Sequence, residues 1–243
     1  MKKHIPNAIT CCNLISGCIA VLFATQGNYT MALLMIVVGA VFDFFDGMTA
    51  RLLHVSSPIG KELDSLADVV TFGVAPSMVV FSAYRAFNAN VVCITDNPLF
   101  HYLGDFQINY GPYLAFLIAA FSALRLAKFN LDERQTTSFI GLPTPANALF
   151  WASFIAYCPD FLKRSPALMF LLMAMIVISS FLLVCELPMF ALKFKTWGWR
   201  GNEIKFIFVA TSLPILLFFG RLGIAIVILW YVVLSLIATR LKL

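Results

Sequence analysis

Four aspartates, Asp43, Asp46, Asp64 and Asp68, fall within residues 43–68 of a sequence that is otherwise strongly apolar. Read as helix, Asp43, Asp46, Gly47 and Ala50 follow i, i+3, i+4, i+7 spacing and share one face. Gly60, Asp64 and Asp68, spaced by four, do the same on the next segment. The short link Val55-Ser56-Ser57-Pro58 makes the two segments antiparallel neighbours, so their acidic faces can meet. Carboxylates converging in a low-dielectric site repel one another strongly unless cations neutralise them. Oxygen-only donors select a hard divalent ion, Mg²⁺ or Mn²⁺, over zinc or copper. Two such ions about 4 Å apart suit a diphosphate. Gly47, Ala50 and Gly60 leave room for a ligand, and Arg51 and Ser57 stand where they could hold phosphate oxygens.

Two other uses of intramembrane carboxylates compete with this one. Interhelical ion pairs with Arg51 and Lys61 would be purely structural, but two cations cannot neutralise the four aspartates and Glu62. An ion pathway through a transporter also employs buried acids. Such a pathway would string them across the membrane, whereas these lie on one side of it.

The elements that must carry the aspartates follow from composition. The chain has 243 residues, 61% hydrophobic and 12% charged, against about 25% charged for a soluble domain. The fold expected is therefore all-α: a polytopic membrane helix bundle forming one integral-membrane domain over residues 1–243. Apolar stretches near 8–25, 30–53, 61–87, 109–129, 142–158, 166–184, 203–219 and 222–240 give about eight transmembrane helices, each long enough for a core of roughly 30 Å at 1.5 Å per residue. The first stretch follows Met-Lys-Lys but has no clear small-x-small cleavage site, so it is expected to be retained.

Charge placement sets a direction. With the N-terminus in the cytoplasm, only Arg85, Lys163, Arg164 and Arg221 of the 17 lysines and arginines face the opposite side. That asymmetry puts both termini and the acidic site at the cytoplasmic face. Residues 88–108 read as an exterior loop, and 188–202, with Trp197 and Trp199, as an interfacial cytoplasmic stretch. The net charge of +5 then serves anionic lipid and nucleotide ligands; no nucleic-acid-binding module is present. The 6 cysteines contain no CxxC pair and the 3 histidines no metal spacing, so thiol and His-based zinc sites are not expected.

Asp43-x2-Asp46-Gly47-x2-Ala50-Arg51-x8-Gly60-x3-Asp64-x3-Asp68 resembles the signature of the CDP-alcohol phosphatidyltransferases, with every fixed position filled. Further stretches are similar to the serine-transferring branch of that family: Pro6-Asn7-x2-Thr10-x2-Asn13-Leu14-x2-Gly17, Phe72-Gly73-Val74-Ala75-Pro76-Ser77, Leu124-Arg125-Leu126-Ala127-Lys128-Phe129-Asn130 and Gly141-Leu142-Pro143-x-Pro145-Ala146. The resemblance implies a six-helix catalytic core, about 6–184 here, with two additional C-terminal spans at about 203–240. It implies transfer of the phosphatidyl group of CDP-diacylglycerol to L-serine with release of CMP. Glycerol phosphate and inositol phosphate are the alternative acceptors. It makes Asp43, Asp46 and Asp64 metal ligands and Asp68 both a ligand and the general base. Gly47, Arg51 and Ser57 become contacts to the CDP-lipid. Thr10 and Asn13 join them, unless they serve as interhelical hydrogen bonds. Arg125 and Asn130 are acceptor- or phosphate-binding candidates, set against roles as a membrane-edge cation and a helix-end cap. The implied partners are CDP-diacylglycerol, L-serine and membrane lipids. Homodimers are common in the family, which adds a second copy of the chain to them.

Overall fold

The structure is a computed structural model and describes residues 4–55, 57–88, 109–131, 139–157, 166–190, 198 and 202–241. The expected exterior loop at 88–108 and most of the interfacial stretch at 188–202 lie outside the described residues, as do Lys163 and Arg164.

Helices stand at all eight expected places. The helix α1 spans His4–Thr25 and α2 spans Tyr29–Leu52. The third stretch is one long rod made of α3 (Pro58–Asp68), a π-helical segment Val69–Val74, and α4 (Ala75–Asn88). A 3₁₀ turn, Gly111–Ala115, leads into α5 (Phe116–Leu131). Then follow α6 (Thr144–Tyr157), α7 (Pro166–Val184), α8 (Glu203–Phe219) and α9 (Arg221–Leu241). Among the described residues, five stretches are long and apolar enough to cross a membrane: His4–Thr25, Tyr29–Leu52, Pro58–Phe87, Gly111–Leu131 and Arg221–Arg240. The chain is thus an integral-membrane helix bundle, and α6, α7 and α8 are its shorter apolar members.

The all-α architecture carries one small addition. A two-residue antiparallel ladder joins β1 (Phe139–Ile140) to β2 (Pro188–Met189). Gly141 follows at φ 75°, a conformation that glycine adopts without strain, and a Cβ there would lie 2.6 Å from the Leu183 carbonyl oxygen. This pinch fastens the entry of α6 to the exit of α7.

The short helix α6 owes its place to its uniform surface. Thr144, Asn147, Ala148, Phe150, Trp151, Ala152, Ser153 and Ile155 are all buried, as befits a helix apolar on every side. It packs against α2, α4 and α9, and Trp151 donates its indole N–H to Ser179 on α7 at 3.0 Å. The outward faces of the other helices are apolar too. Phe218, 87% exposed, needs lipid around it. Cys11, Cys12 and Cys18 also point outward from α1, away from the packed interior.

Basic residues stand at both ends of the bundle among the described residues. Arg51 ends α2 and Lys61 opens α3; Lys61 donates to the Asn130 carbonyl at 3.2 Å, which brings the Lys128 end of α5 alongside. At the other end Arg221 donates to Thr30 at the start of α2, and Arg85 closes α4.

Close packing of α1 against α2 and the rod depends on small residues. A Cβ on Gly17 would sit 2.4 Å from Thr71 Oγ1 and 2.8 Å from its Cα, and one on Gly39 would sit 2.5 Å from Thr71 Cγ2. Thr71, in the π-helical segment, uses this proximity to donate to the Asn13 carbonyl at 3.0 Å. Gly17→Ala is expected to lower stability by about 1–3 kcal/mol. Gly47→Ala, where no heavy atom comes within 4 Å of the new Cβ, should not lower the melting transition. Thermal unfolding in detergent checks both.

Candidate active site

The α2–α3 junction places the acidic site. After α2, His54 adopts φ 50°, and Ser57, extended at φ −144°, caps α3 by accepting the Gly60 N–H at 3.0 Å. Pro58 at the first helical position is pre-organised for that start. The turn brings Asp64 and Asp68 of α3 back to Asp43 of α2, so the two acidic faces meet as expected.

One carboxylate oxygen each from Asp43, Asp64 and Asp68 lies within 4.8 Å of the others. Asp46 is beside them but turned toward α1, where Thr10 Oγ1 donates to its Oδ2 at 2.6 Å. Asn13 Nδ2 donates to Asp68 Oδ1 at 3.1 Å. Asp46 and Asp68 are 6% and 9% exposed, while Asp43 and Asp64 are half-buried. The ion-pair alternative is not realised among the described residues. Arg51 donates to the Gly47 carbonyl at 3.0 Å and Lys61 to that of Asn130, so neither meets an aspartate. The buried Asp64 Oδ1 has no hydrogen-bond partner among the described residues. An all-oxygen cluster with an orphaned oxygen, and with no aspartate ion-paired to a lysine or arginine among the described residues, fits a divalent metal ion.

A cavity of about 270 Å³ opens on this cluster. Pro6, Asn7, Thr10, Asp46, Gly47, Ala50, Val55, Ser57, Gly60, Lys61 and Asp64 line it. Of the expected CDP-lipid contacts, Gly47, Ser57 and Thr10 are therefore on its wall. Arg51 is exposed and is not among the lining residues; Asn13 is fully buried behind Asp68. Asn130 donates to Ser65 Oγ at 2.8 Å and ties α5 to α3. Arg125 is 7% exposed, and its Nε has no hydrogen-bond partner among the described residues.

Some neighbours lie outside the site residues that the sequence pattern implies. Asn7 lines the cavity, Thr71 fixes Asn13, and Tyr231, on a helix far beyond the signature, belongs to the electrostatic surroundings of Arg125. Asn147 was visible as an amide within an apolar run; it is fully buried, with both side-chain polar atoms unpartnered among the described residues.

A polytopic bundle whose acidic residues converge on a cavity near one end defines a membrane-embedded protein with an all-oxygen site suited to a hard cation. The chain belongs to the CDP-alcohol phosphatidyltransferase family, whose model matches residues 3–185. It is similar to the CDP-diacylglycerol--serine O-phosphatidyltransferase of Bacillus subtilis, 39% identical over 143 residues that cover 59% of this chain and 70% of that protein. The protein of the same name from Helicobacter pylori is 34% identical over 146 residues, covering 59% of this chain and 54% of its own. The archaetidylserine synthase of Methanothermobacter thermautotrophicus is 31% identical over 182 residues, 72% of this chain and 67% of that one. The matched stretch thus spans about half of the Helicobacter protein's length.

Mn²⁺ is expected to raise the melting temperature of the purified protein. Asp64→Asn should weaken Mn²⁺ binding, read by the paramagnetic resonance of the free ion, at least tenfold. Thr10→Val should weaken it by about 10-fold, the usual cost of losing a residue that orients a ligand.

Proposed function

We propose that this chain transfers the phosphatidyl group of CDP-diacylglycerol to the hydroxyl of L-serine, yielding phosphatidylserine and CMP. The observation that carries this reading is the trio Asp43, Asp64 and Asp68, oxygens within 4.8 Å and unpaired with any cation among the described residues, beside a cavity walled by small residues. Family membership and relatives named for serine transfer support it.

Asp43, Asp46, Asp64 and Asp68 hold two Mg²⁺ or Mn²⁺ ions in this reading. When bound, the ions would offset charge on the diphosphate and on the departing CMP. The chain's own groups supply the rest. Gly47, Ala50 and Gly60 keep the cavity open for the nucleotide and diphosphate, and Thr10 and Ser57 offer hydroxyls on its wall. Arg51, exposed at the rim, meets the nucleotide as it arrives. Asn13 holds one oxygen of Asp68, leaving the other to take the proton of the serine hydroxyl. A serine O–P bond forms, the P–O bond to CMP breaks, and the proton resides on Asp68. Transfer is direct, since among the described residues the one serine on the cavity wall caps α3 and has no hydrogen bond to a base.

The whole chain forms one domain, with the acidic end at the cytoplasmic face where serine and the CDP group arrive. The basic residues Arg51, Lys61 and Lys128 at that end agree with the positive-inside tendency.

Purified protein given CDP-diacylglycerol, divalent cation and radiolabelled serine should release CMP and form labelled lipid. Asp68→Asn is expected to lower kcat by about 10²–10⁴. Transfer to glycerol phosphate and not to serine would refute the acceptor assignment. Retention of configuration at phosphorus would refute direct transfer.

A further inference from the structure

Arg125 is a cation buried in the bundle, near Asp68 but in no ion pair among the described residues. It is 7% exposed, and among the described residues its guanidinium makes no hydrogen bond or ion pair. An unpaired charge at such depth is costly and points to an anionic ligand.

Two contacts locate it. Asn130 bonds Ser65, and Ser122 packs against Gly73, where a Cβ would lie 3.2 Å from Ser122 Cβ. The helix α5 therefore runs antiparallel to the α3–α4 rod, and Arg125 comes level with the residues just after Asp68. Asp68 and Tyr231 are the charged and titratable groups that act on it.

Tyr231 comes from α9, beyond the segment 3–185 that the family model matches. Its ring is wedged against Phe190 and Phe208, at centroid distances of 4.8 Å and 5.8 Å. Its hydroxyl donates to the Phe190 carbonyl at 2.9 Å and has the Ser235 hydroxyl as a neighbour, which leaves the oxygen one lone pair to accept from a guanidinium. Behind it lies an apolar cavity of about 240 Å³, lined by Pro143, Ala146, Phe208 and Val227 among others. Tyr231 is thus the polar tip of an otherwise oily wall.

We propose that Arg125 binds the carboxylate of the amino-acid acceptor, in a subsite beside Asp68 whose outer wall is helix α9. The proposal rests on the serine-transfer reading and refines it. In serine the hydroxyl and the carboxylate are close enough to reach Asp68 and Arg125 together. A guanidinium accepts a carboxylate through two parallel hydrogen bonds. Its single charge matches a monoanion. A phosphate monoester carries up to two negative charges and would call for a second cation, yet the nearby described cations are committed or outward: Lys61 bonds Asn130, Arg51 bonds Gly47, and Lys128 is exposed. The donor's diphosphate does not compete for Arg125, because the cavity lined by Asp46 and Asp64 lies toward α1 and Arg125 is not on its wall. Donor and acceptor then approach the carboxylates from different sides, which suits a single displacement.

The test compares L-serine with ethanolamine and serinamide, which keep the hydroxyl and amine but lack the carboxylate. The wild type should prefer serine at least 100-fold in kcat/KM. Arg125→Gln should raise the KM for serine at least 100-fold, leave the KM for CDP-diacylglycerol within about threefold, and shrink the preference over ethanolamine below about tenfold. Arg125→Lys should restore part of that preference, and Tyr231→Phe should raise the serine KM while leaving ethanolamine unaffected. Equal loss on all acceptors together with a raised KM for CDP-diacylglycerol would overturn the proposal and give Arg125 to the lipid phosphate. If the variants do not fold, wild-type protein that uses ethanolamine or serinamide within tenfold of serine overturns it alone. A wild type that transfers to a phosphorylated alcohol and not to serine refutes the parent reading instead.

Discussion

Mutual repulsion of carboxylates in a low-dielectric site is the constraint around which this bundle is organised. Asp43, Asp64 and Asp68 bring oxygens within 4.8 Å of one another, and neither Arg51 nor Lys61 offsets them. Without a bound cation such an arrangement opposes folding. The protein therefore has to hold the trio by other means, and most of the polar structure in the first half of the chain does this.

The helix α1 contributes the donors. Thr10 bonds Asp46 and Asn13 bonds Asp68, while the Asn13 backbone is in turn held by Thr71. Hydrogen bonds to carboxylates inside the membrane are strong only where the backbones approach closely. Gly17 and Gly39 allow that approach, and the π-helical segment Val69–Val74 turns Thr71 toward α1 directly after Asp68. Segments of this kind occur often beside functional groups. A signature read as four aspartates is therefore held in place by an equally specific set of small and hydroxylated residues on neighbouring helices.

The second half of the chain faces the opposite flank of the same carboxylates. Here α5 carries Arg125 next to Asp68, and α9 closes over it with Tyr231 held by Phe190 and Phe208. The apolar length that makes α9 a membrane helix also makes its single tyrosine at this position distinctive. The α1–α3 flank holds an open cavity with small walls, and the α5–α9 flank holds a buried charge. Two chemically different ligands can thus be served by one acidic centre.

Much of this was legible in the residues themselves. Hydropathy located eight helices because lipid tolerates little else than a helix whose backbone is internally bonded. The i, i+3, i+4 spacing paired Asp43 with Asp46 and Asp64 with Asp68, because helical geometry is local and repeats every 3.6 residues. The link at 53–57 made the two faces meet. The sequence alone thus determined the helices, the acidic faces and the class of chemistry. Tertiary structure decided which side chains attend each carboxylate. Thr10 and Asn13 turned out to be donors to Asp46 and Asp68, Asn130 a tie to Ser65, and Arg125 a buried cation facing α9. The two-residue ladder between Phe139–Ile140 and Pro188–Met189 was equally invisible. The physical reason is the same in each case: these contacts join residues from 36 to more than a hundred positions apart, and no periodicity of one helix states which face of another it will meet.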